Sequence, residues 1–200
     1  MANTTTLAPE RLEQFARWTA PLIDKWDSEE YYFDEAEALN FYKFVAKLRL
    51  SQWSKTSFNL LRFQFEILTE ILCVKHRESG LRKHREAHIN MPRKNGKSFL
   101  VALVIVYLFF CQRGIYGALF IITANSVKQA GELFNVVNNF IKKNRTLKKY
   151  CKIRESTRTI VRKDNGNTIM VLSSDASNAD SYSTYVGCLD EIHEAPNDDM

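Results

Sequence analysis

The chain has 200 residues, 45% of them hydrophobic and 26% charged, with a formal net charge of +5. That balance excludes a disordered or low-complexity chain and suits one domain large enough to bury a core. The charge is compatible with a polyanionic partner without requiring one, and the longest apolar run, Phe99 to Cys111, is too short to span a bilayer.

The first residues, "MANTTTLAPERLEQ", lack a basic and then apolar pattern, so no signal peptide is expected. Residues 8–47 read as helices, the second with Ala38, Phe41, Tyr42 and Val45 on one face. Residues 1–55 are taken as a helical lead-in and 56–200 as the core. "SQWSKTSFNL" is a connector, and "LLRFQFEILTEILCVKH" resumes a helix with Phe65, Ile67, Leu68, Ile71 and Leu72 inward. "RESGLRKHRE" is a polar turn. A short strand is expected over Ala87 to Met91, then a cationic loop, a helix from Ser98 to about Gln112, and a turn at Arg113-Gly114. "GALFIITA" is a compact strand. Ser126 and Gln129 form a capping box for a helix with Ala130, Leu133, Phe134, Val137 and Ile141 on one face. "RTIVRKDNGNTIMVLSS" is a hairpin about Asp164-Asn165-Gly166. "TYVGCLDE" is a final buried strand ending in two carboxylates. Strands alternating with helices predict an α/β fold with a mostly parallel sheet flanked by helices. The four cysteines, Cys73, Cys111, Cys151 and Cys188, share no C-x-x-C and read as reduced core thiols of a cytosolic protein.

In "INMPRKNGKSFL" three cations, Arg93, Lys94 and Lys97, stand at the mouth of a buried run. Such charge is costly unless neutralised, and a bound anion is the natural neutraliser. Over residues 91–98 the phosphate-loop pattern G-x-x-x-x-G-K-[ST] is met by Gly96, Lys97 and Ser98, with Met91 in place of the first glycine. Gly96 lets backbone N–H groups wrap phosphates at a helix N-terminus. Lys97 would reach the β- and γ-phosphates, and the Ser98 hydroxyl would hold Mg²⁺. The alternative is a basic surface turn before a core helix. A phosphate loop calls for an acid at a later strand end. Asp190 supplies it as the Mg²⁺ carboxylate, and Glu191 could polarise the attacking water. The alternative there is an exposed Asp-Glu turn.

These residues, with "AEALNFYKFVAKLRL", "FNLLRFQFEIL", "GLRKHREAHINMPRKNGKS", "IITANSVKQA", "LSSDASNADS" and "GCLDEIHEA", resemble the ATPase domain of the large terminase subunit of tailed bacteriophages. The resemblance implies an ASCE-type P-loop ATPase using ATP and Mg²⁺. It implies that Arg93 contacts the γ-phosphate beside Lys94 and Asn95 of the loop, and that Gln64 reads adenine. It further implies a motor moving double-stranded DNA into a capsid in the cytoplasm of the infected bacterial host. Its partners would be the portal protein, the small terminase subunit and copies of itself in a ring, with no membrane. The family continues past the acidic pair with further strands and a nuclease domain. The sequence ends at Met200, so a core incomplete at its C-terminus is expected, without nuclease activity.

Two rival functions share these motifs. "DEIH" also matches the box of superfamily 2 helicases, and a non-catalytic nucleotide-binding or assembly module would carry the same loop. Cys73, His76, His84 and His88 have a zinc-like spacing, but Lys75, Arg77, Arg82, Lys83 and Arg85 oppose a cation. The run "KKNRTLKKYCKIR" is either a solvated helix end or a phosphate contact to DNA or to a neighbouring subunit's nucleotide. Arg158 and Arg162 are candidates by position for an arginine acting in trans.

Overall fold

The computed structural model describes residues 7–49, 59–92, 95–124, 126–172 and 183–190. They group into two compact units, one from 1–48 and 54–92, the other from 49–53 and 93–200. The first unit therefore runs on past the boundary at residue 55 expected from the sequence.

In the first unit, α1 (Pro9–Trp26) opens on a proline whose missing N–H no helical bond needs there. It buries Phe15, Trp18, Thr19 and Leu22. α2 (Glu35–Lys47) buries Ala38, Phe41, Tyr42 and Val45, the face read from the sequence. α3 (Arg62–Cys73) buries Phe65, Leu68 and Leu72. Ile67 and Ile71, expected inward, are only half-buried. Thr69 goes inward instead, its hydroxyl donating to the Phe65 carbonyl at 2.7 Å. The rings of Phe15, Trp18, Tyr42 and Phe65 form the centre, with contacting centroids 5.5 to 6.4 Å apart.

The helix expected to continue through "VKH" stops at Cys73. β2 (Val74–His76) pairs antiparallel with β1 (Tyr31–Phe33), a strand absent from the sequence reading. Lys75 explains the change. Its ammonium lies 2.7 Å from Asp34 Oδ2 and 2.5 Å from Glu37 Oε2, partners far outside any local window. Asp34 also caps α2, accepting the Glu37 N–H at 2.9 Å.

Burial works to raise the Asp34 carboxyl, but the Lys75 ammonium and the Glu37 and Ala36 N–H groups outweigh it and hold it low. A depressed folded-state pKa gives stability that is present above the unfolded carboxylate range and is lost as pH falls through the folded value. Lys75 is held high against its own burial by the same two carboxylates, so its share is lost only above the ordinary lysine range. Lys75→Met should lower stability at pH 7 by about 1–2 kcal/mol, because two partly buried carboxylates then face each other. The deficit should shrink as pH falls below the ordinary carboxylate range and through the depressed Asp34 value. Urea unfolding at pH 7 and pH 3 measures it, and an equal deficit at both would refute the ion-pair account.

In the second unit, α4 (Lys97–Cys111) is apolar on every side and buries eight residues, Leu100, Leu103, Val106 and Phe109 among them, as an interior helix must. β3 (Leu119–Ala124) leads to α5 (Val127–Lys143), which buries Ala130, Leu133, Phe134, Val137 and Ile141 as expected. Ser126 Oγ caps α5, accepting the Gln129 N–H at 3.2 Å. α6 (Arg145–Lys149), β4 (Cys151–Arg154), β5 (Thr159–Arg162), β6 (Thr168–Val171) and β7 (Thr184–Asp190) follow. The described strands form one sheet in the order β4-β5-β6-β3-β7. β3 is parallel to both β6 and β7, while β4, β5 and β6 are joined antiparallel. The parallel half holds Asp190, and the predicted hairpin extends the other edge.

The hairpin turn registers the sheet. Asn167 Oδ1 accepts the Ala118 N–H at 3.0 Å and the Asn165 carbonyl accepts the Gly117 N–H at 2.9 Å. These bonds set Leu119 opposite Thr168.

Two expectations are corrected. Residues 87–91 form no strand and are exposed or half-buried; "AHINM" has too little apolar surface to hold an extended segment against a sheet. β7 is an edge strand among the described residues rather than a buried one, with Leu189 49% exposed. All four cysteines are free. Among the described residues no helix is long and apolar enough to cross a membrane.

Candidate functional site

In the register of β3 and β7, Ala124 lies opposite Asp190, so both parallel strands finish at one edge of the sheet. Open α/β sheets take their ligands at this carboxyl edge. The start of α4 comes to the same place. Gly96 precedes it with φ 83° and ψ 24°, a left-handed conformation that costs a residue with a Cβ about 1–2 kcal/mol. The nearest atom to an added Cβ would be 3.9 Å away. Backbone conformation, not crowding, therefore calls for glycine. Among the described residues no side chain caps α4 at Gly96, the positive end of an apolar helix.

Lys97, the first residue of α4, places its Nζ 3.3 Å from Asp190 Oδ1, with side chains 29% and 13% exposed. The two sequence motifs thus meet in space. Ser98 follows within the first turn, half-buried. Two residues before Asp190, on the same face of β7, the Cys188 thiol is pushed up to about 12 by burial and then by the Asp190 carboxylate, with Lys97 pulling the other way. It stays protonated at neutral pH and is no nucleophile. The Ser98 hydroxyl and the Asp190 carboxylate are hard oxygen donors. That set fits Mg²⁺, which takes one or two protein oxygens beside phosphates and water.

Asn95 stands exposed just before Gly96, while Arg93, Lys94 and Glu191 lie outside the described residues. Gln64 belongs to the first unit. It is buried in the first turn of α3, where its Oε1 accepts the Leu61 N–H at 3.0 Å. Of the zinc-spaced residues, Cys73 is buried at the end of α3, His76 stacks 4.8 Å from Tyr31 and His84 lies 5.8 Å from Trp26. Among the described residues no three His, Cys, Asp or Glu side chains gather to hold a metal.

Sequence reasoning missed the role of Arg162. Its Nη1 donates to the Phe109 carbonyl at 2.6 Å and its guanidinium pairs with Asp164, closing the far end of α4. The one sequence signal is the acid two residues on, in the hairpin turn. Arg158 lies against α5, where a Cβ on Gly131 would come within 2.9 Å of its Cζ. Both arginines considered for a trans role are thus engaged within their own chain.

The family model described as "Terminase large subunit, ATPase domain" matches residues 62–200. The crystal structure of the HK97 bacteriophage large terminase is similar in fold, with a TM-score of 0.60 at 16% sequence identity. The match covers 76% of this chain and 30% of that one. No curated protein matches the sequence.

Proposed function

The chain belongs to the family of terminase large subunit ATPase domains, and from that membership we propose that it binds and hydrolyses Mg·ATP at the carboxyl edge of β3 and β7. The hydrolysis would drive double-stranded DNA into a capsid. The observation that carries this reading is the 3.3 Å approach of Lys97 Nζ to Asp190 Oδ1 at the open N-terminus of α4. A cation and a carboxylate held there can exchange one another for a phosphate and a metal.

In this reading Lys97 and the first N–H groups of α4 hold the β- and γ-phosphates. Arg93 joins Lys97 in stabilising charge on the transferring phosphoryl group, and Lys94 and Asn95 complete the loop. Ser98 and Asp190 would supply the oxygens that hold Mg²⁺, which would neutralise phosphate charge there. Glu191 orients the attacking water and accepts its proton. The working assembly is a ring of this chain with the portal protein and the small terminase subunit in the host cytoplasm.

The test is the metal dependence of ATP binding. In the unaltered chain, chelating Mg²⁺ should weaken ATP binding at least about tenfold, as expected when charge-assisted bonding to the phosphates is removed. In Asp190→Asn the affinities with Mg²⁺ and with chelator should converge. If Asp190→Asn keeps the full Mg²⁺ enhancement, Asp190 is not the metal carboxylate and this reading of β7 fails.

A further inference from the structure

The end of α5, the short α6, β4 and the turn of the β5–β6 hairpin enclose an open trough of about 740 Å³. Lys142, Arg145, Lys148, Lys149 and Lys163 line it, with Glu155 as the one carboxylate. Uncharged Cys151 and Ile153 of β4 complete the lining. Lys142 pairs with Glu155. The other four cations have no ion-pair partner among the described residues.

Helix ends alone do not explain this gathering. Lys142, Lys148 and Lys149 sit in last turns, where the macrodipole favours cations. Arg145, however, opens α6 at its positive end, and Lys163 comes from the hairpin, its Nζ bonded to the Lys149 carbonyl at 3.1 Å. Cations from a helix, a helix start and a hairpin converge against their own repulsion.

From this convergence we infer that the trough is a docking surface for the phosphodiester backbone of double-helical DNA, read without regard to sequence. Three features choose this occupant. The first N–H groups of α6 are taken, since Asn144 Oδ1 accepts those of Thr146 and Leu147 at 3.1 and 3.3 Å. No backbone cradle is left for a single phosphate. The cations are largely exposed and strung across several elements, which suits successive phosphates of a backbone. No aromatic residue lines the trough, whereas single-strand sites stack bases on aromatic rings. The inference is independent of the phosphate loop.

The experiment measures binding of the 200-residue chain to a mixed-sequence 20-base-pair duplex across a range of NaCl concentrations, beside ATP affinity and melting temperature. Replacing Lys148, Lys149 and Lys163 together by alanine should flatten the salt slope by roughly 0.9 for each phosphate that no longer meets a cation and leave ATP affinity unchanged. The triple arginine variant should keep the slope. Removing exposed Arg17 and Lys47 instead should not alter it. If the triple alanine variant, still folded, binds duplex with an unaltered slope, or if a single strand of equal length binds more tightly than the duplex, the inference is wrong. A loss of ATP binding in Lys97→Ala with duplex binding retained would separate the two sites.

Discussion

Glu191→Gln is expected to keep ATP affinity and to lose hydrolysis by about 10²–10⁴, the usual contribution of a positioned general base. The proposed function gives Asp190 and Glu191 different tasks. Asp190 faces Lys97 at 3.3 Å, and in the proposed reading it handles phosphate and metal charge before any bond breaks. In the same reading Glu191, next in the chain, acts when the water is polarised. Glutamine keeps its shape and loses its basicity, so binding and turnover should part company. ATP affinity and hydrolysis rate, measured in one preparation with duplex DNA present, give both halves. Should Glu191→Gln turn over at near the unaltered rate, Glu194 becomes the candidate base and the placement of "DEIHE" must shift.

Lys97→Ala should weaken Mg·ATP binding about 10²-fold or more. The ammonium would contact two phosphates, and hydrogen bonds to charged groups contribute about 1.5–3 kcal/mol each. The cost in folding should be far smaller. An ion pair with one partner 29% exposed contributes about 0–1 kcal/mol. A large loss of affinity with a nearly unchanged melting temperature is therefore the signature. Lys97→Arg should fall between, since a planar fork cannot replace a point charge at the mouth of a helix. Calorimetric titration of the folded Lys97→Ala protein against Mg·ATP decides it. Affinity equal to that of the unaltered chain would end the phosphate-loop reading.

How much of this was legible in the sequence depends on whether the cause is local. The apolar faces of α2 and α5 appear residue by residue, because helical spacing is written within a dozen positions. The hairpin about Asp164 to Gly166 is equally local: its turn residues sit between two β-branched runs. The strand β2 was hidden because "VKH" extends the apolar rhythm of α3, and only Asp34, 41 positions away, makes it extended. The strand expected at 87–91 failed in the opposite way, since nothing local supplies an edge or a cover. The site divides along the same line. Gly96, Lys97, Ser98 and Asp190 were identified by residue type and spacing. That Lys97 and Asp190 touch is set by the parallel register of β3 with β7. The task of Arg162 depends on the carbonyls of a helix 52 and 53 positions earlier, and no window of sequence contains both.

α4 has a mechanical consequence. It is one unbroken helix of 15 residues, about 22 Å long at 1.5 Å per residue. One end begins at Lys97, and the carbonyls at the other are clasped by Arg162. Such a rod barely compresses along its axis, so the spacing between the cation at its head and the hairpin at its foot is fixed. The rod is joined to its unit through the left-handed Gly96 at one end and residues 112–118 at the other.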